Sequence, residues 1–118
     1  MNKDSKKIIK PTKTHKMKEE IVNLLLKLLI DVKVYHWKTK SYAEHKATDK
    51  LYDDMNTHMD RFMEVLLGKS GIRMNFANQK SISLYDLDSQ EKLIAKVNQF
   101  KSYLVNLLNK IRNLVSYL

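Results

Sequence analysis

Apolar residues recur along most of this chain at steps of three and four, the spacing that stacks side chains on one face of an α-helix. Three long segments carry the pattern. The first predicts a helix from near Lys16 to about Lys40, with Ile21, Leu24, Leu25, Leu28, Val32 and Tyr35 on one face. Val22, Leu26, Ile30 and Trp37 mark a second face, and a helix apolar on two faces calls for two partners. The second predicted helix opens at Ser41, where Ser41-Tyr42-Ala43-Glu44 has the form of a capping box, and closes at Gly68. Its packing side is Leu51, Met55, Met59, Phe62 and Leu66. The third starts near Asp88, with Asp88-x-x-Glu91 as another capping box. From there Leu93, Val97, Phe100, Leu104, Leu107, Ile111, Leu114 and Leu118 alternate in steps of four and three, a seam for another helix. Residues 69–87 form the longest connection, punctuated by Gly71, Asn75 and Asn78, with room in SISLYDL for one short helical turn. Residues 1–15 lack periodicity and contain Pro11, so they read as a basic mobile tail ahead of a helical domain over 16–118.

Composition narrows this to one all-α domain of modest core. The chain has 118 residues, only two glycines and one proline, which favours helix over sheet. It has no cysteine, so disulfides and thiolate metal sites are excluded. The longest apolar run, Leu24 to Ile30, is broken by Lys27 and too short for a bilayer, and the N-terminus lacks a signal-peptide core. The expectation is a soluble intracellular protein with no membrane partner. Net charge is +9 and uneven: residues 1–20 carry seven lysines against three acids, 21–60 balance, and 61–118 carry nine basic residues against four acidic. That surplus suits an anionic partner such as DNA, though it also suits a merely lysine-rich surface. Lys3, Lys6, Lys7, Lys10, Lys13, Lys16 and Lys18 would serve through phosphate contacts that read no sequence.

The second helix carries the candidate chemistry. At about 100° per residue, His45, Asp49, Asn56, Asp60 and Glu64 share an arc of roughly 100°, centred away from the packing side. An acidic stripe alone is ordinarily a solvated face, but such a face has no need of His45 at its head. His36 lies between the two apolar faces of the first helix and reads either as a core histidine bonded to a carbonyl or as a ligand at a subunit seam. Imidazole and carboxylate together suit iron or another first-row divalent ion and leave positions open for water and an oxidant. Ordinary ferritins place glutamates and an E-x-x-H pair toward the bundle core. This chain has no E-x-x-H.

His36-Trp37, then His45 with Asp49, then Asp60 and Glu64 ahead of Leu67-Gly68, resembles the ferroxidase signature of Dps-type mini-ferritins. In that family an H-W pair closes the first helix, and the second carries H-x3-D followed by D-x3-E at the interval that separates His45 from Asp60. The resemblance is best over about residues 20 to 70. His36 and His45 are nine apart where the family has twelve with a glycine in the loop. A fainter resemblance, to ferritin-like proteins of large DNA viruses, rests on that short loop and would put the protein in the host cytoplasm. What the resemblance implies is a ferritin-like helical bundle that binds iron and oxidises Fe(II) with peroxide or O2. His36, His45 and Asp49 of one subunit would meet Asp60 and Glu64 of another across a two-fold axis. It also implies DNA binding by the basic tail, a short extra helix in the long connection, and a homo-oligomer with a dimer as the minimum and a cage as the family's usual state. A Dps-type subunit has a fourth long helix, for which this sequence offers no segment. The alternatives are a non-catalytic metal- or DNA-binding protein on the same scaffold, and a three-helix interaction module with a vestigial ligand set.

Overall fold

The computed structural model describes residues 13–71 and 73–116, all of the regular structure among them helical. Helix α1 spans Lys13–Lys38, α2 Tyr42–Ser70 and α3 Gln90–Ser116. The basic tail therefore ends sooner than its sequence suggests, since Lys13, Thr14 and His15 already belong to α1. Nothing beyond the backbone is described for Lys13, Lys16 and Lys18, and Lys3, Lys6, Lys7 and Lys10 lie outside the described residues.

α1 is the central element. It packs along α2 and over a shorter seam against α3, while α2 and α3 do not approach each other closely. The core is built mainly on the face predicted for α1: Ile21, Leu25, Leu28, Val32 and Tyr35 are buried, joined by Leu29. Met59 of α2, Leu87 of the connection, and Leu93 and Leu107 of α3 close on it. Leu51, Met55, Met63, Val97 and Phe100 pack around its edge. Of the second face of α1, Val22 is buried, whereas Leu26 and Trp37 are exposed.

The helix ends follow from local chemistry. Ser41 caps α2, its hydroxyl accepting the Glu44 backbone N–H at 3.3 Å. The Glu44 carboxylate does not complete a capping box. It accepts from the Tyr35 hydroxyl at 3.0 Å and the Thr39 hydroxyl at 2.5 Å, tying the α1–α2 corner. α2 runs past Gly68 to Ser70 and stops at Gly71, whose φ of 65° is left-handed and whose N–H bonds Leu67 O at 3.0 Å. α3 is capped by Ser89, not Asp88: the Ser89 hydroxyl accepts from Lys92 N at 3.2 Å, and Asp88 pairs with the Lys92 ammonium at 2.7 Å. The connection has no helical turn at SISLYDL, only a turn at Ala77–Asn78. Its hydrogen bonds go to other elements instead. Tyr85 N–H bonds the Asp31 carboxylate, Asp86 pairs with Lys38, and Gln79 bonds Asn23.

Candidate functional site

α1 loses its helical partners after Lys38, which leaves its last carbonyls in need of donors. One donor is a side chain of the next helix. His45, one turn into α2, offers Nδ1 to His36 O at 3.1 Å. In return, His36 Nδ1 lies 2.8 Å from His45 O and 3.0 Å from the Thr48 hydroxyl. A carbonyl only accepts, so both imidazoles carry their proton on Nδ1. Thr48 spends its own proton on Glu44 O at 2.7 Å and so receives from His36. The two rings stack with centroids 3.9 Å apart and planes 20° apart. The result is a reciprocal clasp across a corner of three residues, leaving a lone pair on each Nε2.

His36 is buried, with 7% of its surface exposed, and Thr48 is buried beside it, while His45 and Asp49 are exposed. His36 Nε2 lies 3.9 Å from Asp49 Oδ1. With the proton on Nδ1, a lone pair there faces a carboxylate oxygen, an arrangement that a bound cation relieves. Of the two readings its sequence allows, the structure shows His36 as a buried histidine bonded to a carbonyl. A metal-binding histidine is ordinarily held in the same way, with its second nitrogen on a carbonyl or carboxylate.

The remaining pair lies elsewhere. Asp60 and Glu64 are exposed on α2, eleven and fifteen residues beyond Asp49, which at 1.5 Å per residue is about 16–22 Å along the axis. Asp60 borders a shallow cavity of about 140 Å³ with Leu26, Asn56 and Met63. Among the described residues, no three His, Asp or Glu side chains gather closely enough within one chain to hold a metal ion. His36, His45 and Asp49 lie near one another at the corner without forming a ligand set by themselves, and Asp60 and Glu64 are a separate acidic pair further along.

Two features of the corner escape the sequence pattern. Thr48 fixes the His36 ring, and nothing in the spacing singles it out from other threonines. Tyr35 is held by Glu44, and its burial together with that carboxylate pushes its hydroxyl above the usual tyrosine value. A second polar cluster was open to detection: Asp31 interrupts an otherwise apolar stretch of α1, yet it is 1% exposed.

Among the described residues, geometry and topology define an all-helical protein of three long helices with a histidine clasp at its first corner. The sequence profile described as "Family of unknown function (DUF5856)" matches residues 36–118, and the chain belongs to that family. The chain is also similar to a protein of Enterobacteria phage T4 described as "Uncharacterized 14.6 kDa protein in mobD-ri intergenic region", with 37% identity over 62 residues. That stretch is 52% of this chain and 45% of the phage protein, so the chain spans less than half the length of its relative. No solved structure matches.

Proposed function

We propose that this protein is a Dps-like iron-binding protein of ferritin-like architecture, in which two copies complete a site for Fe(II) oxidation by peroxide or O2. The observation that carries the reading is the clasp: two imidazoles whose Nδ1 atoms are occupied by carbonyls, with Asp49 facing the free Nε2 of His36. His36, His45 and Asp49 would hold the iron from one chain, and Asp60 and Glu64 from a second copy. Iron is the substrate, and two Fe(II) give one electron each, with two protons reducing peroxide to two waters or O2 to peroxide. The residues of this chain do the rest. Thr48 and the His45 carbonyl orient His36, and Asp49, Asp60 and Glu64 offer the carboxylates that the harder Fe(III) product prefers. Exposed apolar side chains on the first two helices, Leu26, Trp37, Phe62 and Val65, favour a second copy, since large apolar patches on monomers mark interaction surfaces. The basic surplus and the lysines of the tail extend the proposal to non-specific DNA binding.

A second reading is favoured by the same contacts: the clasp closes the α1–α2 corner, and the chain is a non-catalytic helical interaction or metal/DNA-binding protein. Four variants separate the readings. His36→Ala, His45→Ala, Asp60→Ala and Glu64→Ala are each expected to cut Fe(II) oxidation at least tenfold while helix content by circular dichroism changes little. A structural clasp would instead make the histidine variants unfold and leave Asp60→Ala and Glu64→Ala unaltered in every assay.

A further inference from the structure

The α1–α2 corner presents two aromatic rings that the rest of the chain does not cover. Trp37, one residue before the end of α1, is 69% exposed, and Tyr42, the first residue of α2, is 74% exposed. They flank the turn at residues 39–41. Side chains of this size are normally packed, so two left in water at one corner mark a surface for a partner.

Their surroundings narrow the choice. The Lys33 ammonium lies 6.0 Å from the centre of the Trp37 ring and 4.4 Å from that of Tyr52, and the Lys46 ammonium lies 5.8 Å from the centre of the Tyr42 ring. Lys40 is exposed in the turn between the two helices. Among the described residues, Lys33, Lys40 and Lys46 have no carboxylate partner, whereas Lys38 pairs with Asp86 and Lys50 with Asp54. The nearby Glu44 carboxylate is already occupied by the Tyr35 and Thr39 hydroxyls. Uncovered rings beside unpaired ammonium groups suit a ligand that joins negative charge to flat faces. A lipid surface supplies the charge but rewards aliphatic neighbours, and the turn here is Thr39, Lys40 and Ser41. A second copy of the chain would set one lysine cluster against another, at a cost in repulsion. Duplex DNA supplies charge but keeps its base faces stacked inside.

We propose that this corner binds single-stranded nucleic acid, with bases stacked on Trp37 and Tyr42 and backbone phosphates paired with Lys33, Lys40 and Lys46. The tail lysines are proposed for duplex phosphates, and the corner is a separate surface whose ligand includes the base. Trp37 then belongs to this surface, and the contact between copies rests on Leu26, Phe62 and Val65. Net charge of +9 draws any polyanion to the chain, so the signature of the site is dependence on the rings and not on charge alone.

Trp37 is the one tryptophan of the sequence, and its fluorescence reports the corner directly. The full chain is titrated with oligo(dT), oligo(U), a DNA duplex of equal length, inorganic polyphosphate and vesicles of phosphatidylglycerol. A metal chelator is present throughout, so failure here leaves the iron reading untouched. Saturable quenching is expected with oligo(dT) or oligo(U), the difference between them telling which sugar fits, and little quenching with the other three. Affinity of the variants is followed by anisotropy of a labelled strand. Trp37→Ala and Tyr42→Ala should each weaken it about tenfold or more, and Trp37→Phe, which keeps a stacking face, should restore part of the loss. Both rings are exposed, so helix content by circular dichroism should not change. Removal of residues 1–12 should leave the loss caused by Trp37→Ala the same. Equal quenching by polyphosphate or duplex, quenching by vesicles without quenching by single strands, or a Trp37→Ala chain that binds within twofold of the natural one would each overturn the proposal.

Discussion

His36 and His45 each donate Nδ1–H to the other's backbone carbonyl, and this local exchange decides which nitrogens remain for chemistry. Thr48→Val tests the support directly. It removes the hydroxyl that accepts from His36, and a loss of tenfold or more in metal affinity is expected, typical of removing a group that orients a ligand. Unchanged affinity would mean that the carbonyl alone holds the ring. Asp31 is a different case, a carboxyl whose burial raises its proton affinity above the ordinary value of 3.8. A raised folded value means that the stability associated with the neutral form is complete below pH 3.8 and is lost as pH rises through the folded value. Lys27, Lys96 and the Tyr85 N–H oppose that loss without cancelling it. Asp31→Asn removes the ionisable carboxyl, so its stability relative to the natural chain is expected to be lowest in acid and to grow as pH rises, as read by melting temperature against pH. A margin independent of pH would contradict this account. The ligand candidates were legible from spacing because helical geometry alone places His45, Asp49, Asp60 and Glu64 on one side. The clasp was not, because it depends on how sharply residues 39–41 turn.

At the scale of elements, the three helices and the main face of α1 were readable from periodicity, since burial of an apolar stripe drives both the pattern and the packing. Their ends were less so, because caps are chosen by single hydrogen bonds. Gly71 carries the left-handed conformation, and Gly68 lies within the helix with open space where a Cβ would go. Gly71→Ala should cost about 1 kcal/mol, while Gly68→Ala should stabilise by about 0.5–1 kcal/mol, both measured by urea unfolding. At the start of α3, Ser89→Ala should cost about 1 kcal/mol as the loss of a cap. Asp88→Ala should cost less, because its pair with Lys92 is exposed. The connection has no helical turn for a related reason: SISLYDL has room for one but little helical preference, while Leu87 is buried and Tyr85 and Asp86 are held by α1. Tertiary contacts there outweigh weak local preference.

Over the whole molecule, α1 does most of the packing and α3 is applied to it by a limited seam. The radius of gyration is 17.5 Å, against about 13–14 Å for a compact domain of this length. Ile94, Leu104, Val105 and Leu108 leave apolar surface open along α3, as Phe62 and Val65 do on α2. In the proposed dimer a second copy would cover these faces, in a closed two-fold arrangement where each copy gives and receives the same contacts. The basic segment ahead of α1 belongs to this scale too. Removal of residues 1–12 is expected to abolish most DNA retention at low salt, and the intact chain should lose its affinity steeply as salt rises. Retention that survives the deletion would move DNA binding to the basic second half of the chain.

Sharing of the metal site between copies can be read by complementation. His45→Ala and Glu64→Ala chains, each inactive alone, are unfolded together, refolded as a mixture, and assayed for Fe(II) oxidation alongside light scattering on a sizing column. If the site is built from two copies, mixed dimers carry one intact site each. About a quarter of the natural number of sites should then return, in particles of dimer size or larger. No recovery from the mixture, with every sample running as a clean monomer with and without Fe(II), would contradict a shared site and the ferroxidase function drawn from it.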